Sequence, residues 1–127
     1  MRETATADTA LGLTRAEVAR LHGSAVRVTD SLKAMANPSR LMILCQLAEG
    51  EKSVGELERV VEISQSALSQ HLGLLRQRGL VKSRRAGQSI LYALDGPEAA
   101  ALLAALYEVY CSKVPKGHAR RTAPTPA

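Results

Sequence analysis

The sequence predicts a mainly α fold with one small β-hairpin, built as about five helices and a two-stranded wing. Three observations carry that expectation. Apolar residues recur three and four apart through most of the chain. Capping signatures cut this pattern into helix-sized pieces. One basic stretch is instead split by a glycine into two strand-like arms, the mark of a hairpin. The 127 residues suit one domain, and at 46% hydrophobic the chain can bury a real core. With three Tyr and no Phe or Trp, that core must be aliphatic.

Residues 1–14 are small and polar and are expected to form a disordered tail. The folded domain is expected over 15–114, with a disordered basic tail over 115–127. From Arg15 to Met35, Val18, Leu21, Ala25, Val28, Leu32 and Met35 make a heptad-like seam along one helix of about five turns. A seam this long on a terminal helix is expected to meet a partner helix. Asn37 and Pro38 start a second helix, because Asn caps well and Pro suits the first turn. That helix, Ser39 to about Glu49, carries Leu41, Ile43, Leu44, Cys45, Leu47 and Ala48 around most of its girth. It is expected in the core, ending at Gly50.

Ser53 with Glu56 forms a capping box. The short helix that follows should bury Val54, Leu57, Val60 and Val61. Glu62, Ile63 and Ser64 form a turn in which Ser64 caps the next helix, and Gly79 closes that helix. Leu80–Arg85 and Ser89–Leu94 then flank Ala86, Gly87 and Gln88 as the hairpin. Asp95 and Glu98 repeat the capping-box spacing with Pro97 inside the first turn. A last helix runs to about Ser112, with Leu102, Leu103, Leu106, Val109 and Tyr110 on its apolar side.

Two helices at a tight turn, followed by a basic ribbon, make a winged helix-turn-helix. On the helix after the turn, Leu68, Leu72 and Leu75 form an apolar back, while Gln65, Ser66, Ser69 and Gln70 form a polar front. The major groove of duplex DNA is about 12 Å wide and admits one such helix, whose short polar side chains reach base edges. Glutamine suits adenine, and serine can donate or accept at a base or a phosphate. Ser64 belongs with this set at the groove-facing end. His71 lies between front and back and is expected to be packed or phosphate-bonded. Lys82, Arg84, Arg85 and Gln88 would follow the flanking backbone or minor groove.

The bulk charge agrees: the net value is +5 and the pI about 9.6, compatible with a polyanionic partner. Arg76, Arg78, Lys82, Arg84 and Arg85 crowd together beside the reading helix, and Lys113, Lys116, Arg120 and Arg121 follow in the tail. Scarce aromatics argue against single-stranded nucleic acid, which stacks on exposed rings. No targeting run and no apolar stretch near the roughly 20 residues of a membrane span is present. The expected location is therefore cytoplasmic, with no membrane partner. Thiols stay reduced there, so Cys45 and Cys111 are core residues, metal ligands or redox groups rather than a standing bond. A thiol-disulfide enzyme would carry a Cys-X-X-Cys pair, which is absent. No cofactor motif is found.

Residues Leu32 to Tyr110 resemble the ArsR/SmtB family of small dimeric bacterial repressors. The carrying strings are LKAMANPSRLMILCQLAEGEKSVGEL, SQSALSQHLGLLRQRGLV and RRAGQSILYAL, together about two thirds of the chain. The resemblance implies a homodimer through the first and last helices and a palindromic operator in double-stranded DNA. It also implies release by an inducer. Metal sensors of the family place paired cysteines in the helix before the reading helix, which here reads SVGELERVV, or Asp and His along the last helix. Here that helix has Glu98 and Glu108, and His118 falls in the tail. The positions of Cys45 and Cys111 match the dithiol subgroup of SqrR/BigR/HlyU-like regulators. Those respond to reactive sulfur species, and some to oxidants, by linking two thiols through a disulfide or polysulfide bridge within one subunit. A metal-responsive or plainly oxidant-responsive regulator is the alternative.

Overall fold

The computed structural model describes residues 9–112. Six helices and three strands follow in the order α1 (Arg15–Gly23), α2 (Ala25–Met35), α3 (Pro38–Ala48), β1 (Lys52–Ser53), α4 (Val54–Val60), α5 (Gln65–Gln77), β2 (Val81–Ala86), β3 (Ser89–Leu94) and α6 (Pro97–Tyr110). The strands form one antiparallel sheet in the order β1-β3-β2. No described helix is long and apolar enough to cross a membrane. Of the expected tails, 1–8 and 115–127 lie outside the described residues, whereas at 9–14 Thr9 hydrogen-bonds both ways with Leu13.

The caps explain where the helices begin. Asn37 Oδ1 accepts from the Arg40 amide at 3.0 Å, with Pro38 behind it in the first turn. Ser53 and Glu56 form the reciprocal box, and Ser64 Oγ accepts from the Ala67 amide at 3.1 Å. Each satisfies amides that a helix start leaves without an intrahelical partner. Arg40 performs the complementary service at the end of α2, where its guanidinium donates to the carbonyls of Ala34 (2.6 Å) and Lys33 (3.3 Å).

Four expectations are corrected. The single N-terminal helix is two, α1 and α2, joined at Ser24 (φ −103°, ψ 12°). Gly23 and Ser24 are weak helix formers, and their combined cost locally outweighs propagation. The joint is slight, because the Ser24 amide still donates to the Arg20 carbonyl at 3.2 Å and the Val28 amide to that of Ser24 at 2.9 Å. The wing gains a third strand, since β1 pairs with β3 through Lys52↔Tyr92 and Ser53↔Leu91. Val60 is 49% exposed rather than buried; α4 is a short helix whose inward side is taken by Leu57, with Val61 just beyond its end. Finally, Gly96 (φ 79°) precedes α6 without a side-chain cap. The Asp95 amide instead bonds to the Leu80 carbonyl at 2.9 Å, closing the base of the hairpin. Glu98 turns to Arg27.

The core sits where α3 meets α5, α6 and the sheet. Ile43, Leu44 and Leu47 from α3 pack with Leu57, Val61, Leu68, Leu72, Leu75, Leu80, Val81, Ala99 and Leu103. No polar or charged residue is buried among the described ones. Met42, Cys45 and Ala48, spaced by three on α3, face outward. Cys45 is thus exposed, so of the places left open for it the inert core position does not apply. α6 is divided along its length: Ala99 and Leu103 are buried, whereas Leu106, Val109 and Tyr110 are 37%, 70% and 79% exposed.

Candidate nucleic-acid interface and thiol pair

The turn at 61–64 presents α5 with its apolar back pressed into the core. Leu68, Leu72 and Leu75 are buried, and their spacing of four and three places them on one side of the helix. Gln65, Ser66, Ser69 and Gln70 are exposed on the other. No hydrogen bond among the described residues engages the side chains of Gln65, Ser69 or Gln70. These side chains are therefore available without an internal hydrogen bond being broken. Ser64 is committed as the cap, but as an acceptor. Its own proton is available to Ser66 Oγ, 3.4 Å away, or to an outside oxygen. His71 is half-buried, and burial, with the nearby Arg40 charge, pushes its pKa below the ordinary value. It lies between the exposed polar front and the buried apolar back of the helix.

The register divides the wing's polar residues between two faces. Lys82 pairs with Ala93 and Arg84 with Leu91, on one face; Arg85 pairs with Ile90 and lies on the opposite face. Gln88 is exposed in the turn beside Gly87, whose φ of 64° suits a residue without a Cβ. Arg84 is not idle. Its Nε and NH2 donate to Glu51 Oε2 and Oε1 at 2.7 and 2.9 Å, a two-pronged ion pair across 33 residues of sequence. Arg78, at the end of α5, reaches Asp30 of α2 at 3.5 Å, and Arg27 of α2 meets Glu98 of α6 at 3.2 Å. Pattern reading missed these pairs, Glu51 above all, because a contact between distant segments leaves no local periodicity.

The two cysteines are free and exposed. Cys45 lies midway along α3 and Cys111 follows the last turn of α6, where its amide donates to the Tyr107 carbonyl at 2.8 Å. α3 and α6 pack together. Burial pushes the Cys45 thiol up, and the charge of Cys111 pushes it in the same direction. Among the described residues no three His, Cys, Asp or Glu side chains gather as a metal ion would require.

Comparison with known proteins gives a consistent answer. Residues 37–83 match the family described as bacterial regulatory protein, arsR family. The chain is 49% identical over 88 residues to the biofilm growth-associated repressor of Agrobacterium fabrum, a match spanning 69% of this chain and 75% of that one. It is similar to the solved transcriptional repressor BigR from Xylella fastidiosa, with a TM-score of 0.71 at 44% identity over 76% of this chain and 98% of that one. A homodimeric winged helix-turn-helix DNA-binding domain from Mycobacterium bovis, a possible ArsR-family regulator, matches with a TM-score of 0.62. Its identity to this chain is 33%, covering 77% of this chain and 87% of that domain.

Proposed function

Because this chain belongs to the arsR family of bacterial regulatory proteins, we propose that it is a homodimeric transcriptional repressor of a palindromic operator, released when its two thiols are bridged. The observation that carries the DNA half is the division of α5, with its leucines in the core and its glutamines and serines open to solvent. Gln65, Ser66, Ser69 and Gln70 are assigned to base edges. Ser64, Lys82, Arg84, Arg85 and Gln88 are assigned to the DNA backbone, with His71 supporting the helix from behind. Two α5 helices in a two-fold dimer would enter successive major grooves about one helical turn apart.

The sensing half is supported by two accessible sulfurs on packed elements, α3 and the end of α6. The chemistry is thiol exchange. A cysteine thiolate attacks the outer sulfur of a persulfide RSSH, forming Cys-S-SH and releasing RS⁻. The second thiolate then attacks the inner sulfur, closing the disulfide and releasing HS⁻; the dithiol loses two electrons and the donor gains them. If a second donor first extends the persulfide by one sulfur, the same closure gives a trisulfide, which spans a wider gap. A bridge between α3 and α6 changes their packing. Since α6 is assigned to the dimer interface, the spacing of the two reading helices changes with it.

The DNA assignment predicts a separable result. Replacing Gln65 and Ser69 together by Ala should cost about 1–3 kcal/mol per lost base contact on the operator. Binding to random duplex, which rests on phosphates, should change little. Titrations of both duplexes at several salt concentrations provide the check. Equal losses on the two would remove base reading from these residues.

A further inference from the structure

Arg84 raises a question that the DNA reading leaves open. A guanidinium offers a planar fork that phosphate and carboxylate fill in the same two-pronged way. Here the fork is already filled by both oxygens of Glu51, at 2.7 and 2.9 Å. Glu51 directly precedes β1, whose Lys52 pairs with Tyr92 of β3. One step along, Ala93 pairs with Lys82 on the far strand. The side chains of β3 on that face are therefore the methyl group of Ala93 and, opposite Arg84, Leu91. Lys82 and Arg84 share one face of β2, and Glu51 feels the positive charge of both. The carboxylate is solvent-accessible, as is Arg84, so neither is sealed into the fold.

We propose that Glu51 is an internal competitor for DNA phosphate: it occupies Arg84, lowers the positive field of the wing, and so weakens binding to duplex of any sequence. The inference rests on the DNA reading above and adds to it a residue that limits affinity. It separates two roles that are otherwise alike on paper. If Glu51 only braced Arg84 for contact, removing its charge would loosen a useful donor. As a competitor, its removal frees a donor that was occupied.

The experiment uses the full-length protein and titrates operator and random duplex across a range of salt concentrations. The wild type is compared with Glu51→Gln, Glu51→Ala, Arg84→Ala and the Glu51→Gln/Arg84→Ala double variant. Both Glu51 variants should bind each duplex roughly three- to tenfold more tightly at low salt. Their log–log salt slope should steepen by about 1.8 per dimer, the signature of one more phosphate neutralised at each half-site. The double variant should lose this gain and match Arg84→Ala. Circular dichroism and melting on each variant confirm that the sheet persists. Weaker binding by both Glu51 variants, with a slope like that of the wild type, would show a brace and overturn the proposal. A gain that survives in the double variant would also overturn it, by locating the effect elsewhere. A wild type that binds neither duplex would defeat the DNA reading itself, and the competitor with it.

Discussion

Replacing Leu106 and Val109 by Asp is expected to leave a folded chain that no longer dimerises and has lost most of its operator affinity. Along α6 the apolar stripe continues through Ala99, Leu103, Leu106 and Tyr110, but the chain's own core covers only its first half. On the other side of the proposed interface, Val18, Leu21, Val26 and Leu32 of α1 and α2 are also exposed. Soluble single chains rarely leave so much apolar surface together unless another molecule covers it. Two carboxylates placed there would have to be desolvated without partners, which association cannot sustain. Folding should survive, because neither residue belongs to the buried cluster. The DNA effect follows from linkage. In a dimer the second half-site is met at high effective concentration, and losing that advantage costs on the order of 10²–10⁴ in affinity. Sedimentation of the free protein and an operator titration test both parts. A variant that remains dimeric would place the interface on another surface.

The second large effect concerns release. Cys45→Ser and Cys111→Ser should each bind operator as the wild type does, yet stay bound when a persulfide donor is added. The wild type should fall by orders of magnitude, since contacts worth about 1–3 kcal/mol apiece are lost together on both half-sites. Intact mass identifies the product. A plain disulfide lowers the mass by two hydrogens, and every retained bridging sulfur adds one sulfur atom. Release by either single variant would defeat the dithiol mechanism, and release without any mass change would favour a metal or another ligand. The raised Cys45 pKa adds a pH signature. Its thiol stays protonated to higher pH than an ordinary cysteine, and only the thiolate reacts. Where Cys45 closes the bridge, the closure rate should still be climbing at a pH where an unperturbed thiol has levelled off.

Local chemistry explains what could be read from the chain and what could not. Asn37, Ser53, Glu56 and Ser64 act on amides three residues away, so their roles are written in adjacent letters, and the structure has each where expected. The leucine spacing of α5 decided its inward side for the same reason. α3 was harder, because it is apolar around most of its girth and periodicity alone cannot choose which side meets solvent. Met42 and Cys45 face out only because Ile43, Leu44 and Leu47 pack against elements that come later in the chain. β1 is two residues long, too short for any alternation to register, and exists because β3 offers it an edge. Asp95 had the spacing of a cap but was claimed by the hairpin base. The Glu51–Arg84 pair had no local sign at all.

Among the described residues the interior contains only apolar side chains, with no buried polar group to latch one helix against the next. Between α3 and α6 shape sets the buried contact, and the ion pair that α6 makes through Glu98 to Arg27 lies on the exposed surface. A greasy bearing of this kind holds its position while undisturbed. On the proposed mechanism, the bridge from Cys45 to Cys111 is the tether that would turn it.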